Sequence, residues 1–193
     1  GNSIFIHNSK GHIVEKNKVY KNSWSALVSG TNATHGIIRN NYFMGWGSTT
    51  AVWMEQPGAD YLTFENNELD GGISIGDNGG NHITIRKNII RAKDTAIDVT
   101  FGAKDILIED NQIISANTAR SNMGIYLFEK STPDVNVRIN NNSFKGFSTG
   151  ISINNYLGQG TVYGVKLKGN TFVDNKTNIW INPSLKLNEP LGQ

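Results

Sequence analysis

The chain has 193 residues, with 18 Lys and Arg against 16 Asp and Glu for a net charge of +2, and it has no cysteine. That length is one domain's worth, and the charge is too balanced to attract nucleic acid or an anionic membrane in bulk. Disulfide and thiolate chemistry are excluded, the redox compartment stays open, and neither a membrane-length apolar run nor a signal peptide is present.

Alternation begins at once with Ile4-Phe5-Ile6, which reads as a strand. So abrupt a start suggests that Gly1 is an added residue and that the sequence is cut from something longer. The next segment, Val14-Glu15-Lys16-Asn17-Lys18-Val19, sets a template: an Asn three residues after one apolar residue and two before another. The template returns at Asn41, Asn67, Asn88, Asn111, Asn142 and Asn170, at spacings of 24, 26, 21, 23, 31 and 28 residues. From Ala51 onward two strand signals alternate. Ala51-Val52-Trp53-Met54 is followed by Leu62-Thr63-Phe64 running into Asn67, then Gly72-Ile73-Ser74-Ile75, then Ile83-Thr84-Ile85 into Asn88. Ala96-Ile97-Asp98-Val99 precedes Ile106-Leu107-Ile108 and Asn111. Gly124-Ile125-Tyr126-Leu127 precedes Val137-Arg138-Ile139 and Asn142. Gly150-Ile151-Ser152-Ile153 precedes Val165-Lys166-Leu167 and Asn170, and Ile179-Trp180-Ile181 closes the series. Period-two alternation bounded by Gly, Asn and Asp is strand and not helix.

The fixed order of strand, Asn turn, strand and loop favours a parallel β-helix over a sandwich or barrel, because such a unit buries its apolar side only by stacking on its neighbours. A hydrophobic fraction of 37% and 21 glycines suit a solenoid with a long perimeter and a thin interior. Stacking makes a check possible: the position after the central apolar residue reads Glu15, Arg39, Glu65, Arg86, Glu109, the sign alternation an exposed ladder favours. The Asn column is read as structural, since Asn tolerates the left-handed turn conformation and its amides can hydrogen-bond along the axis.

These Asn turns and small-Ile-x-Ile strands resemble the pectin-lyase-like right-handed β-helix superfamily, over nearly the whole chain and without a catalytic signature matched residue by residue. The resemblance implies a polysaccharide lyase, hydrolase or epimerase, or a phage tailspike segment. The expected fold is all-β, a single-stranded right-handed parallel β-helix of about seven coils over 1–182, with 183–193 a cap or linker and further domains outside this sequence.

Residues that break the period can be placed on a side. All four histidines, His7, His12, His35 and His82, fall in the loops entering the Asn-bearing strands, whereas Lys18, Lys21, Arg91, Lys93, Arg120, Lys145 and Lys176 are assigned to the opposite loops. His35, Tyr61, His82 and Asp105 align from coil to coil, with Asp60 beside them. A His/Tyr pair beside a cation suits proton abstraction from a uronate: His82 or His35 as base, Tyr61 as acid, Lys104 steadying the carboxylate. A second cluster is Glu55, Asp77 and Asp98. Its carboxylates suit a glycosidase pair or a Ca²⁺ site; no other cofactor is expected, and no metal-ligand spacing is present. Aligned rings that stack for packing alone, and carboxylates that serve turns or solvation, are the plain alternatives. The outward column Phe5, Val28, Trp53, Ser74, Asp98, Tyr126, Ser152, Trp180 offers sugar-binding aromatics at Trp53, Tyr126 and Trp180, with Asp98 among them.

The expected function is therefore polysaccharide binding and processing by a lyase, an epimerase or an endo-glycosidase, outside the cell or on a virion surface. No nucleic acid or membrane insertion is expected, and a homotrimer or flanking domains are candidate partners. The rival is a non-catalytic stalk or receptor-binding segment of a tailspike or other appendage.

Overall fold

The structure is a computed structural model that describes residues 3–20, 24–45, 50–54, 58–76, 80–100, 103–117, 121–129, 135–155 and 158–192. Its strands stack in parallel into three long sheets that run the length of a solenoid. The first sheet holds eight strands: Ile4–Ile6, Leu27–Ser29, Thr50–Met54, Gly72–Ile75, Thr95–Thr100, Met123–Glu129, Thr149–Asn155 and Thr177–Ile181. The second holds seven: Ile13–Glu15, Ile37–Arg39, Thr63–Glu65, Thr84–Arg86, Ile106–Glu109, Val137–Asn140 and Val165–Lys168. The third, also of seven, runs through Lys18–Val19, Tyr42–Met44, Glu68–Asp70, Ile89–Ala92, Gln112–Ser115, Ser143–Lys145 and Thr171–Val173.

Each coil therefore carries three strands where the sequence pattern suggests two. The third is only two to four residues long. Two or three residues do not display an alternation, so this strand hides behind the Asn turn. Lys18, Arg91 and Lys145 consequently lie on strands of the third sheet and not in loops. Past Ile181 the chain stays against the solenoid: Leu185–Leu187 pairs with Gly160–Val162, and the Leu167 N–H donates to Leu191 O at 2.6 Å.

Three sets of apolar columns fill the interior. Leu27, Val52, Ile73, Ile97, Ile125 and Ile151 face in from the first sheet; Ile38, Phe64, Ile85, Ile108 and Ile139 from the second; Phe43, Leu69, Ile90, Ile113 and Phe144 from the third. Each contributes about 1.5–3 kcal/mol by leaving water. The small residues that open the first-sheet strands have a steric cause. A Cβ on Gly124 would lie 2.6 Å from the Phe144 ring, and one on Gly150 would lie 2.8 Å from the Phe172 ring.

The Asn column forms a continuous hydrogen-bonded ladder. From Asn17 to Asn142, each backbone N–H and each Nδ2 donate to the Oδ1 of the next rung, at 2.9–3.1 Å. From Asn41 onward, the second Nδ2 hydrogen goes to a backbone carbonyl of the preceding coil, such as Val14 O, Ile38 O or Phe64 O. An internal amide thus has every donor and acceptor filled, which is what burial demands of it. The ladder Asn is not the left-handed residue, however. Positive φ falls one position earlier, at Lys16, Asn40, Asn66, Lys87, Asp110, Asn141 and Gly169. Asn is required here for its side chain and not for its backbone.

The register inferred from charge also holds. Glu15, Arg39, Glu65, Arg86 and Glu109 are successive partners on the second sheet. Arg39 Nε lies 2.8 Å from Glu15 Oε2, and Arg86 Nη2 lies 2.7 Å from Glu65 Oε2.

Candidate functional site

A second left-handed column marks the corner between the first and second sheets. It comprises Gly11, His35, Tyr61, His82 and Asp105, with φ between 54° and 71°. At the Asn corner this conformation falls to Gly, Asn, Asp and Lys; here three successive rungs carry bulky rings. A left-handed L-residue costs on the order of 1–2 kcal/mol, and a stacked ring pair returns about 0.5–1.5 kcal/mol. Two stacks offset part of that strain and the burial of the ring faces adds to them; left-handed residues of this kind are found at functional positions as well as at tight turns.

The rings form one stack. His35 and Tyr61 lie 4.7 Å apart between centroids and Tyr61 and His82 4.3 Å, tilted by 17° and 11°. Backbone bonds hold the rungs level: His35 N–H donates to Asp60 O, Tyr61 N–H to Asn81 O, and His82 N–H to Lys104 O. Asp60 also accepts the Asn81 N–H on Oδ1 at 2.8 Å. At the end of the stack His82 Nδ1 sits 3.2 Å from Asp105 Oδ2. Tyr61 is 49% exposed, and its hydroxyl has no protein partner among the described residues. The Lys104 N–H donates to Asn81 Oδ1, which seats Lys104 beside this column.

His12 belongs elsewhere. It aligns with Gly36, and the next rungs carry Leu62 and Ile83, so it lies on an inward position. Its ring fills the space that Gly36 leaves by lacking a Cβ. Burial lowers its pKa, partly offset by the Ser9 backbone.

The outer face of the first sheet carries the predicted column in full register: Phe5, Val28, Trp53, Ser74, Asp98, Tyr126, Ser152, Trp180. Trp24 leans on Trp53 at 6.0 Å, and Tyr126 stacks on Phe128 at 5.7 Å. Burial raises the Tyr126 pKa, a side-chain hydrogen bond with Asn154 opposes the rise, and the Asp98 charge adds to it. The Ser74 hydroxyl donates to Asp98 Oδ2 at 3.4 Å. Beside them a recess of about 170 Å³ is lined by Thr50, Gly72, Ile73, Ser74, Asp94, Thr95 and Asp98.

Thus Trp53, Asp98, Tyr126 and Trp180 share one face, and His35, Tyr61 and His82 share one corner with Lys104. Glu55 and Asp77 lie outside the described residues. Among the described residues no three His, Asp or Glu side chains converge as a metal site. Trp24, Phe128, Asn154 and Asp94 also border this face, outside the residues that the repeat pattern singles out. Phe128 and Asn154 are legible as outward positions two residues past Tyr126 and Ser152, whereas Trp24 sits on an irregular segment with no period to read.

The profile described as "right handed beta helix region" matches residues 28–184, and the chain belongs to this family. No curated protein and no solved structure matches the chain.

Proposed function

We propose that this chain is a polysaccharide-binding β-helix domain that holds an extended glycan along the outer face of its first sheet. The observation that supports this most is the single outward column in which Phe5, Trp53, Tyr126 and Trp180 are interspersed with Val28, Ser74, Asp98 and Ser152. Sugar rings present apolar faces to aromatic rings and hydroxyl edges to carboxylates and hydroxyls, and this column supplies both. Rungs spaced about 4.8 Å apart repeat those contacts at roughly one sugar length. The place of action is extracellular or on a virion surface. Retention by polysaccharide-containing gels tests the reading: slowed migration that Trp53→Ala and Trp180→Ala relieve supports it, and unretarded migration in every gel refutes it.

The Asp105–His82 contact favours a second reading, in which the corner acts on the bound chain. His82 Nε2 would remove the ring proton adjacent to a uronate carboxylate, Tyr61 would protonate the leaving oxygen, and Lys104 would neutralise the carboxylate. Ultraviolet absorbance of the unsaturated product, followed together with reducing ends, tests this. Growth of both signals, lost in His82→Ala with Tyr61→Phe, is the expected result. Reducing ends without absorbance would move the chemistry to Glu55 and Asp77, and silence in both would leave a binding segment such as a tailspike stalk.

A further inference from the structure

Charge is distributed unevenly over the three sheets. The second sheet carries Arg39, Arg86, Arg138, Lys166 and Lys168 on its strands, and the third carries Lys18, Arg91 and Lys145. None of the chain's 18 Lys and Arg residues lies on any of the eight strands of the first sheet. Asp98 and Glu129 are the charged residues of those strands.

The aromatic rungs are paired as well. Phe5 and Trp53 are two rungs apart with Val28 between them, and Tyr126 and Trp180 are two rungs apart with Ser152 between them. Two rungs span about 10 Å, the length of a disaccharide in an extended chain. Phe5 is 60% exposed and Trp180 40%, Trp53 and Tyr126 are half-buried, and Val28 and Ser152 are buried. Each pair is thus two aromatic supports over a small floor residue.

We propose that the polysaccharide held on the first sheet is uncharged, lying parallel to the solenoid axis with sugars two apart on Phe5 and Trp53, and again on Tyr126 and Trp180, the two pairs being separated by three rungs. This inference rests on the polysaccharide-binding reading, specifies its ligand, and is the alternative to the uronate chemistry of the second reading, which needs an acidic chain. A polyuronate brings one carboxylate per sugar, and each carboxylate brought onto strands that carry no Lys or Arg loses hydration without gaining an ionic partner from them. Asp98, in mid-face, repels it further. Neutral sugars meet no such penalty: their apolar faces match the rings, and their hydroxyls match Ser74, Asp98, Thr100 and Asn154. The face therefore selects against acidic glycans by what it lacks as much as by what it offers.

Affinity electrophoresis of the whole chain tests the inference, in gels containing soluble galactomannan, mixed-linkage glucan, polygalacturonate or alginate, at low and high salt. Retardation by at least one uncharged polysaccharide, indifferent to salt, is expected. Trp180→Ala and Trp53→Ala, made separately, should each weaken it about tenfold, with thermal melting confirming that each variant folds. Salt-sensitive retardation by polygalacturonate or alginate, equal to or stronger than that by the neutral chains, overturns the inference and leaves polysaccharide binding standing. Migration unchanged in all four gels overturns both. A change of oligomeric state in Trp180→Ala without a change in retardation would assign the face to a partner subunit and likewise overturn it.

Discussion

Replacing Asn88 by Ala removes one rung from the middle of the amide ladder. Asn88 Nδ2 donates to Phe64 O and Asn111 Oδ1, each at 3.0 Å, and its Oδ1 accepts from Asn67 N at 2.9 Å and Asn67 Nδ2 at 3.1 Å. In the variant, two donors on Asn67, itself 3% exposed, lose their acceptor. A stranded buried donor costs about 1–3 kcal/mol, so two cost about 4 kcal/mol together. The first rung supplies the control. Asn17 donates to Glu15 O and Asn41 Oδ1, but no described donor reaches its Oδ1, so Asn17→Ala strands no described donor. Its cost should be about 1 kcal/mol. Equilibrium unfolding in guanidinium, followed by far-ultraviolet circular dichroism and by tryptophan fluorescence, measures both. Equal losses in the two variants, or a loss below about 1 kcal/mol for Asn88→Ala, would refute the ladder as a source of stability.

Further outcomes follow from the same structure. Because burial lowers the His12 pKa below the ordinary histidine value of 6.5, the unfolded chain binds a proton that the folded chain refuses. Stability should therefore rise with pH between the lowered folded value and about 6.5 and level off above it; His12→Leu should flatten that part of the melting-temperature profile. Gly36→Ala places its methyl group in the His12 ring and should cost about 1–3 kcal/mol, and His12→Ala in the same chain should restore most of the loss. At the corner, Tyr61→Val puts a β-branched residue at φ 57° and should be less stable than Tyr61→Asn by on the order of 1–2 kcal/mol, since both lose the stack and only Asn tolerates the backbone. Melting curves that rank Val equal to Asn would show that the backbone relaxes there.

Much of this fold is legible in the sequence because a solenoid repeats its own reasons. The charge alternation from Glu15 to Glu109 and the column from Phe5 to Trp180 need only one correct alignment to fall into register, and the ion pairs and strand partners bear both out. What repeats too briefly escapes: Lys18–Val19 and its successors are strands because a coil closes through three faces, which no two-residue alternation announces. The sequence shows only half of the reason for Asn. Its amide role stands, but the left-handed residue is its predecessor, and Lys16 or Lys87 would not draw attention to that conformation. At the corner, alignment places His35, Tyr61 and His82 together, yet the strained backbone beneath their rings is invisible without coordinates. The absence of cations on the first sheet is written in the sequence too, but it becomes readable only once its eight strands are known to share one face.

Everything proposed for this chain turns on sugar binding at the outer face of the first sheet. Nuclear magnetic resonance of the labelled chain, titrated with a neutral oligosaccharide long enough to span two aromatic rungs, tests it most directly. The indole N–H signals of Trp53 and Trp180 and the backbone amides of Ser74, Asp98 and Ser152 should shift together, while the strands of the second and third sheets stay still. Shifts confined to the third sheet or the Asn corner, or no shifts with any neutral or acidic oligosaccharide, would contradict it.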